Sequence, residues 1–453
     1  MATPSIPITQ AQPVPPVEIN TPRWLGGSVV LVWLLGTAFV IASIVAVREQ
    51  RKALDLIANQ SAKSVIAAQR MASALADMDA SAANGLLNPL QKDEALKSYQ
   101  KSRAMMTDAL VDAARNITFS GEEEAIKNLA RDSGTFGALV EAAFTRQSTA
   151  ASGTVAEYLK AAQVMDMALI PGAKKVDDLN RKELDASFES IGRVSLMQRT
   201  LVWLTGLGMI AVLLRLQFYL SERMRRTLNP LCVVATVLAA GLLLYTNHAL
   251  STASHETTVV KSDAFESIHL LWKTKAAAYQ ANALESRYLL DRQSAAKHQA
   301  GFDKLALEIS NDPGPLARLG QSKPTAGMKG YLAEELANIT FEGERDAALN
   351  VAVWWNDYMQ IDARIRALER AGQHEQAVKL CLGEERNESN WAFNGFIKAL
   401  DHTLEINQNE FNRAAQNGFE ALKQFEMIAP ILGLIAALSC LFGVLPRIRE
   451  YSA

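Results

Sequence analysis

The chain has 453 residues, is 49% hydrophobic and 21% charged, and carries a formal net charge of -2. Evenly spread, those apolar residues would suit two or three soluble domains, and the near-neutral charge points neither to nucleic acid nor to a generally basic membrane-surface protein. They are instead concentrated in residues 24–47, 201–214, 228–247 and 427–446, which hold no Asp, Glu, Lys or Arg. Three of these runs are about the ~20 residues that cross a bilayer, and the second reaches that length once Arg215 is included. Four transmembrane helices are therefore expected, which excludes a soluble enzyme.

Residues 1–22 contain six of the fourteen prolines and a single charge, Glu18. Such a tail cannot bury a core and reads as disordered. The first span, 24–47, is too long for the apolar core of a secretory signal and lacks a small-residue cleavage site, so it reads as an anchor. Residues 48–199 follow as a polar segment rich in Ala, Leu, Glu, Lys, Gln and Arg, with no alternating strand pattern. Gly85 with Pro89, the corner "NITFSG" at 116–121, and Ser152 with Gly153 divide it into four helices. Pro171 and Gly172 predict a kink in the last. Ile126, Leu129, Ser133, Phe136, Val140 and Ala143 repeat with 3-4 spacing, the seam of an antiparallel bundle.

The second span covers 201–220 and leads to a short connector, 221–230, with Arg223, Arg225 and Arg226. Positive-inside counting makes the connector side, and both termini with it, cytoplasmic; Arg447 and Arg449 agree, while Arg48, Arg51 and Lys52 oppose it. Arg215 lies near the end of its span and reads as snorkelling to the interface. A third span, 231–249, precedes the second large segment, 250–425, and a fourth, 427–446, precedes the end 447–453. In 250–425 the breakers are the Pro/Gly-rich stretch 311–327, the corner "NITFEG" at 338–343, Gly372 and the polar stretch 383–390. Val351, Trp354, Tyr358, Ile361, Ile365 and Leu368 form its seam. The fold class expected is all-α: an integral membrane protein with four transmembrane helices and two extracytoplasmic antiparallel four-helix bundles.

The chain also repeats itself. "NITFSGEEEAIKNLA" at 116–130 recurs as "NITFEGERDAALNVA" at 338–352, an offset of 222 that also maps the second span onto the fourth, whereas the first and third spans match at about 206. The Pro/Gly stretch absorbs the difference. Each unit is then span, helical domain, span, in tandem. At the corners, Asn116, Thr118, Phe119, Asn338, Thr340 and Phe341 invite a binding reading, but a structural one is stronger. Thr118, Ser120 or Thr340 can cap the following helix, Ser120 with Glu123 fits a capping box, and the Ile and Phe residues can staple the corner to the core.

Trp272, Trp354, Trp355 and Trp391 all fall in the second domain. Trp354 lies on the seam and reads as core; Trp355, one position off, flanks the core or belongs to an exposed partner interface. Cys232 and Cys440 lie in spans and Cys381 is alone, so neither domain can hold an internal disulfide. The six histidines show no metal-ligand spacing, and no phosphate loop or nucleophile elbow occurs. The expectation is no enzyme, no metal and no cofactor. Arg223, Arg225 and Arg226 are the candidate contacts for a cytosolic partner, because the cytoplasm can touch little else.

A span leading into a four-helix bundle and back into a span resembles the sensor domains of bacterial chemoreceptors, without their HAMP segment, kinase, cyclase or methyl-accepting coiled coil. The whole chain, with its four spans and paired "NITF" bundles, resembles the actinobacterial GlnX-type membrane proteins. That resemblance implies a signal relay in the plasma membrane. A solute-binding lipoprotein of the GlnH type senses an amino acid such as aspartate or glutamine outside, and a soluble Ser/Thr kinase of the PknG type receives the state inside. Lipid is the remaining partner, nucleic acid is not one, and a homodimer stays open. A stand-alone small-molecule sensor and a structural scaffold subunit are the alternatives.

Overall fold

A computed structural model describes residues 21–117, 120–149, 152–224, 228–311, 325 and 327–450. Among these every regular element is a helix. In chain order the helices are α1 (Thr21–Asp55), α2 (Ala62–Leu87), α3 (Lys92–Arg115), α4 (Glu122–Ser148), α5 (Thr154–Val164), α6 (Ile170–Met224) and α7 (Pro230–Thr258). Then come α8 (Glu266–Leu290), α9 (Ala295–Ile309), α10 (Tyr331–Ala337), α11 (Glu344–Arg370), α12 (His374–Leu382), α13 (Ser389–Leu422) and α14 (Phe425–Glu450). Three π turns, Leu56–Ser61, Met165–Leu169 and Val259–Phe265, join α1 to α2, α5 to α6 and α7 to α8.

The described residues divide into two compact units. The apolar one comprises the residues up to Glu49, Ser195–Leu250 and the residues from Lys423 on. Its four helical segments belong to helices long and apolar enough to cross a membrane. Close approach depends on glycine: a Cβ on Gly206 would come within 3.0 Å of Leu243 and 3.1 Å of Phe39, and one on Gly433 within 2.4 Å of Val40. Tyr245 stacks on Phe425 at 5.3 Å. Asn229 caps α7, accepting from Leu231 N, while its amide donates to Gly443 O at 2.7 Å; Pro230 then takes the first helical position, where its missing N–H costs nothing. Leu34, Leu204 and Leu244 are each more than 60% exposed, a surface suited to hydrocarbon and not to water.

The other unit comprises Gln50–Val194 and Ser251–Leu422. Here the structure departs from two separate bundles: both polar segments are halves of one body. The reason lies in α2 and α8. Eight alanines of α2 are buried, among them Ala67, Ala74 and Ala82, as are Ala277, Ala278 and Ala281 of α8. Small side chains on both faces let α2 pack against α3 and α8 together, so it is buried nearly all round. One core draws on Met71, Leu75 and Met78 of α2 with Leu129, Phe136, Val140 and Tyr158. The other gathers Phe265, Phe302, Trp355, Tyr358, Phe393 and Phe396, and includes Leu54, Ile57, Val65 and Leu184 from the first half. The core boundary therefore does not follow the sequence boundary.

The Pro/Gly-rich stretch, at 312–324 and 326, and the tail 1–20 lie outside the described residues; the other breakers act where expected. α2 ends before Asn88, whose side chain accepts from Leu90 N at 3.0 Å, and Gly383–Glu388 separates α12 from α13. Pro171 does not interrupt α6; the π turn Met165–Leu169 directly precedes it, a wider turn that accommodates the missing donor.

Candidate functional site between the two halves

The predicted site residues divide three ways. Arg225, Arg226, Thr118 and Phe119 lie outside the described residues, and Arg223 is in the last turn of α6. The corner residues act structurally. Asn116 Nδ2 donates to Gln60 O at 2.9 Å and to Ser64 Oγ, and Asn338 Nδ2 donates to Asp263 O at 2.9 Å and Ser267 Oγ at 3.0 Å. Each asparagine thus ties its corner to a carbonyl inside a π turn, where a widened ladder admits a side chain. Ile339 and Phe341 pack against the core.

The capping expectation is corrected. The N-cap positions of α4 and α11 are Gly121 (φ +87) and Gly343 (φ +81), neither with a side-chain cap, and this left-handed backbone favours glycine. Buried Glu344 instead accepts from the Thr340 and Phe341 amides at 2.9 and 3.0 Å. Its counterpart Glu122 accepts from Asn180 Nδ2 at 2.9 Å. Glu123 pairs with Lys127 rather than closing a box with Ser120. The tryptophans are corrected too. Trp355 is 2% exposed and packs on Tyr358 and Phe396 at 5.4 and 5.1 Å, which removes it as an exposed partner contact. Trp354 is the half-buried one, lying over Gly395 with its edge to Trp391. A wide apolar stripe recruits the position beside a 3-4 seam as readily as the seam itself.

What the structure brings together, and periodicity does not show, is a line of charge between the halves. Arg287 of α8 is 1% exposed and enters the first half. Its Nε donates to Tyr158 Oη at 3.1 Å, its Nη1 to Asp166 at 3.0 Å, and its Nη2 to buried Asp79. Tyr158 Oη donates in turn to Asp79 at 2.8 Å. Burial pushes the Asp79 carboxyl up to about 6, against the pull of Arg287; the arginine itself is held more firmly charged than usual by its acidic neighbours, despite its own burial.

Toward the other end of α8, Arg181 donates to His269 Nδ1 and to Glu266 at 2.6 Å, while His269 Nε2 lies 3.1 Å from Asp177. With Nδ1 accepting, Nε2 carries the proton toward Asp177. Buried Lys261 reaches Asp185 at 2.9 Å and also Glu266. Burial raises Glu266, but Lys261 and Arg181 together bring it below its ordinary value. A separate group sits inside the second half: Ser389 Oγ donates to Glu285 at 2.9 Å and Arg366 Nε to Asp362 at 2.7 Å. Burial and nearby Asp362 push Glu285 up to about 8, against Ser389 and Arg366.

Beside this line lies a polar cleft of about 400 Å³ between α2, α3, α8 and α13. Asp77, Asn84, Lys101, Lys275, Asn282 and Asp401 are among its walls. Ser102 Oγ donates to Asp77 at 2.6 Å, and Lys275 pairs with Asp401. Burial raises Asp77 above the usual carboxylate range, offset by Ser102 and by the charge of Lys275. Among the described residues no group of His, Cys, Asp and Glu is placed to hold a metal ion.

Residues 53–189 match the family model of the actinobacterial sensor domain. That stretch is the first half of the polar unit nearly from end to end, so a sensor domain is supported there. No curated protein and no solved structure matches the chain.

Proposed function

We propose that the protein is a transmembrane signal relay whose sensing element is the paired helical unit. The observation that carries this is the charge placed between the halves. A buried ion network adds little net stability over an apolar replacement, since desolvation offsets the attraction. It does give two packed elements a defined register that an external partner can bias. The sensor-domain match across the first half supports the same reading.

In this reading both large segments face outside and the termini inside. An extracytoplasmic solute-binding lipoprotein engages the helical unit, and a cytosolic Ser/Thr kinase reads the connector 221–230. α6 extends unbroken from Ile170 to Met224, through Asp177 and Arg181 of the charged line. A shift along that line has a continuous helix by which to reach Arg223. No catalytic step or cofactor enters the reading.

The test reconstitutes the full chain in proteoliposomes with a lipoprotein of this class outside and a Ser/Thr kinase inside. Kinase recruitment is expected to change when the lipoprotein is loaded with its amino acid. The triple variant Arg223→Gln, Arg225→Gln, Arg226→Gln, once shown to insert correctly, is expected to lose recruitment and keep lipoprotein binding. Recruitment indifferent to the lipoprotein, or intact in the triple variant, contradicts the relay. The polar cleft favours a second reading, in which the helical unit also binds a small molecule itself.

A further inference from the structure

The cleft between α2, α3, α8 and α13 does not fit a passive groove. Elsewhere α2 and α8 meet through buried alanines, whereas this space opens where the walls carry Ser81, Ser102 and Asn282, all buried. A space with walls of this kind favours polar contents over an apolar ligand. Its charges come in both signs: Asp77, Glu384 and Asp401 against Lys101, Lys275 and Lys398. Lys275 and Asp401 satisfy each other. Lys101 and Lys398 make no ion pair among the described residues, and Asp77 takes hydrogen bonds from the hydroxyls of Ser102 and Ser81 while the charges of Lys275 and Lys101 act on it from a greater distance.

We propose that this cleft binds a small zwitterion of α-amino-acid type, its ammonium on Asp77 and its carboxylate on Lys101 and Lys398. A simple anion would meet three carboxylates and a simple cation three ammonium groups, and each fits worse than a molecule carrying both charges. Phe393 and Ile397 give one wall an apolar surface for a ligand side chain to lie against. The volume, about 400 Å³, lies at the small end of the ~300–1,000 Å³ of ligand sites.

The cleft also touches the line between the halves, which is why the proposal deepens the sensor reading it rests on. Asn84, in its wall, accepts from Ser286 of α8, the residue before Arg287. Asn390, also in its wall, follows Ser389, which holds Glu285. A ligand competing for Asn84 or Asn390 acts directly on both buried networks.

The experiment uses the purified full chain in nanodiscs, with no partner present. Each proteinogenic amino acid is titrated singly by calorimetry and thermal unfolding, and any that binds is compared with its N-acetyl and methyl-ester forms. At least one is expected to bind, and loss of either ligand charge is expected to weaken it by about tenfold or more, the range of a charge-assisted hydrogen bond. Asp77→Asn and Lys101→Gln are each expected to weaken it by a similar factor; Lys101 is exposed, so its variant keeps the fold. The proposal is overturned if no amino acid binds, if the N-acetyl form binds as well as the parent, or if binding survives both substitutions. Because the assay contains neither lipoprotein nor kinase, its failure removes the cleft as a site and leaves the relay to the recruitment test.

Discussion

The two halves of the polar unit share their corners and differ in their cores. Asn116 and Asn338 reach the same kind of carbonyl in the same kind of π turn, and Gly121 and Gly343 take the same left-handed backbone. Around the first corner the core is Ala, Met and Leu with few rings, while the second is built on Trp355, Tyr358, Phe393 and Phe396. The buried acids differ in kind as well. Asp362 pairs with Arg366 of its own helix, but Asp79 depends on Arg287 from the opposite half. A corner is fixed by local backbone geometry and tolerates little change; a core is fixed by volume and can be refilled. The alanine-lined contact of α2 with α8 makes the two halves one body, and the asymmetry in buried charge sets how they are registered across it.

The largest effect is expected from Arg287→Ala. It leaves Asp79 buried without its cation, an expected loss of ~3–5 kcal/mol, measured by thermal unfolding of the full chain. Hydrogen exchange is expected to rise in α2 and α8 together, since the arginine joins them. Arg366→Ala, by contrast, is expected to raise exchange only in α11 and its neighbours in the second half. Loosening confined to one half in both variants would break the distinction.

Trp355→Ala comes next, at ~3–5 kcal/mol for a fully buried ring, with Trp354→Ala costing clearly less because its ring is half exposed. Equal losses would show that the second core is not organised around Trp355. The two tryptophans also show how far the sequence could be read. The 3-4 seam correctly places Val351, Tyr358, Ile361 and Ile365 in the core, but it cannot say how wide the buried stripe is. That width depends on Phe393 and Phe396 of α13, far along the chain. The apolar runs, the described breakers and the positions of the corners were legible because runs, glycines and prolines act locally, while the glycine N-caps inside the corners were not, because a capping spelling does not show which residue takes the left-handed turn. Asp79, Arg287 and the cleft were not, because a lone Asp or Arg in a polar helix looks solvated until the partner helix arrives. The alanine run of α2 was the available signal: a helix with small residues on every face is one that is packed on every face.

The pH dependence separates the two buried acids. A carboxyl raised in the folded state binds its proton more tightly there than in the unfolded chain, so its contribution to stability is full at low pH and is lost as pH rises through its folded value. For Glu285 the window runs from its ordinary 4.5 to about 8, and for Asp79 from 3.8 to about 6. Stability is therefore expected to fall from about pH 4 to about pH 6 on both accounts and from about pH 6 to about pH 8 on that of Glu285 alone, so Glu285→Gln is expected to remove the fall above about pH 6 and leave that of Asp79 below it. An unchanged slope in that variant would assign the dependence elsewhere.

The smallest expected effects are at the corners. Asn116→Ala and Asn338→Ala each remove hydrogen bonds from a part-buried side chain and are expected to cost ~1 kcal/mol apiece, alike within error by thermal unfolding. A large difference between them would show that the corners are not equivalent supports.

Charge between the halves serves switching rather than stability. The most direct test replaces the network by apolar groups, with Arg287→Met, Asp79→Leu and Tyr158→Phe combined, and measures kinase recruitment to proteoliposomes with and without loaded lipoprotein. The predicted result is a chain at least as stable as the parent whose recruitment no longer responds to the lipoprotein. A stable triple variant that responds like the parent would contradict the claim.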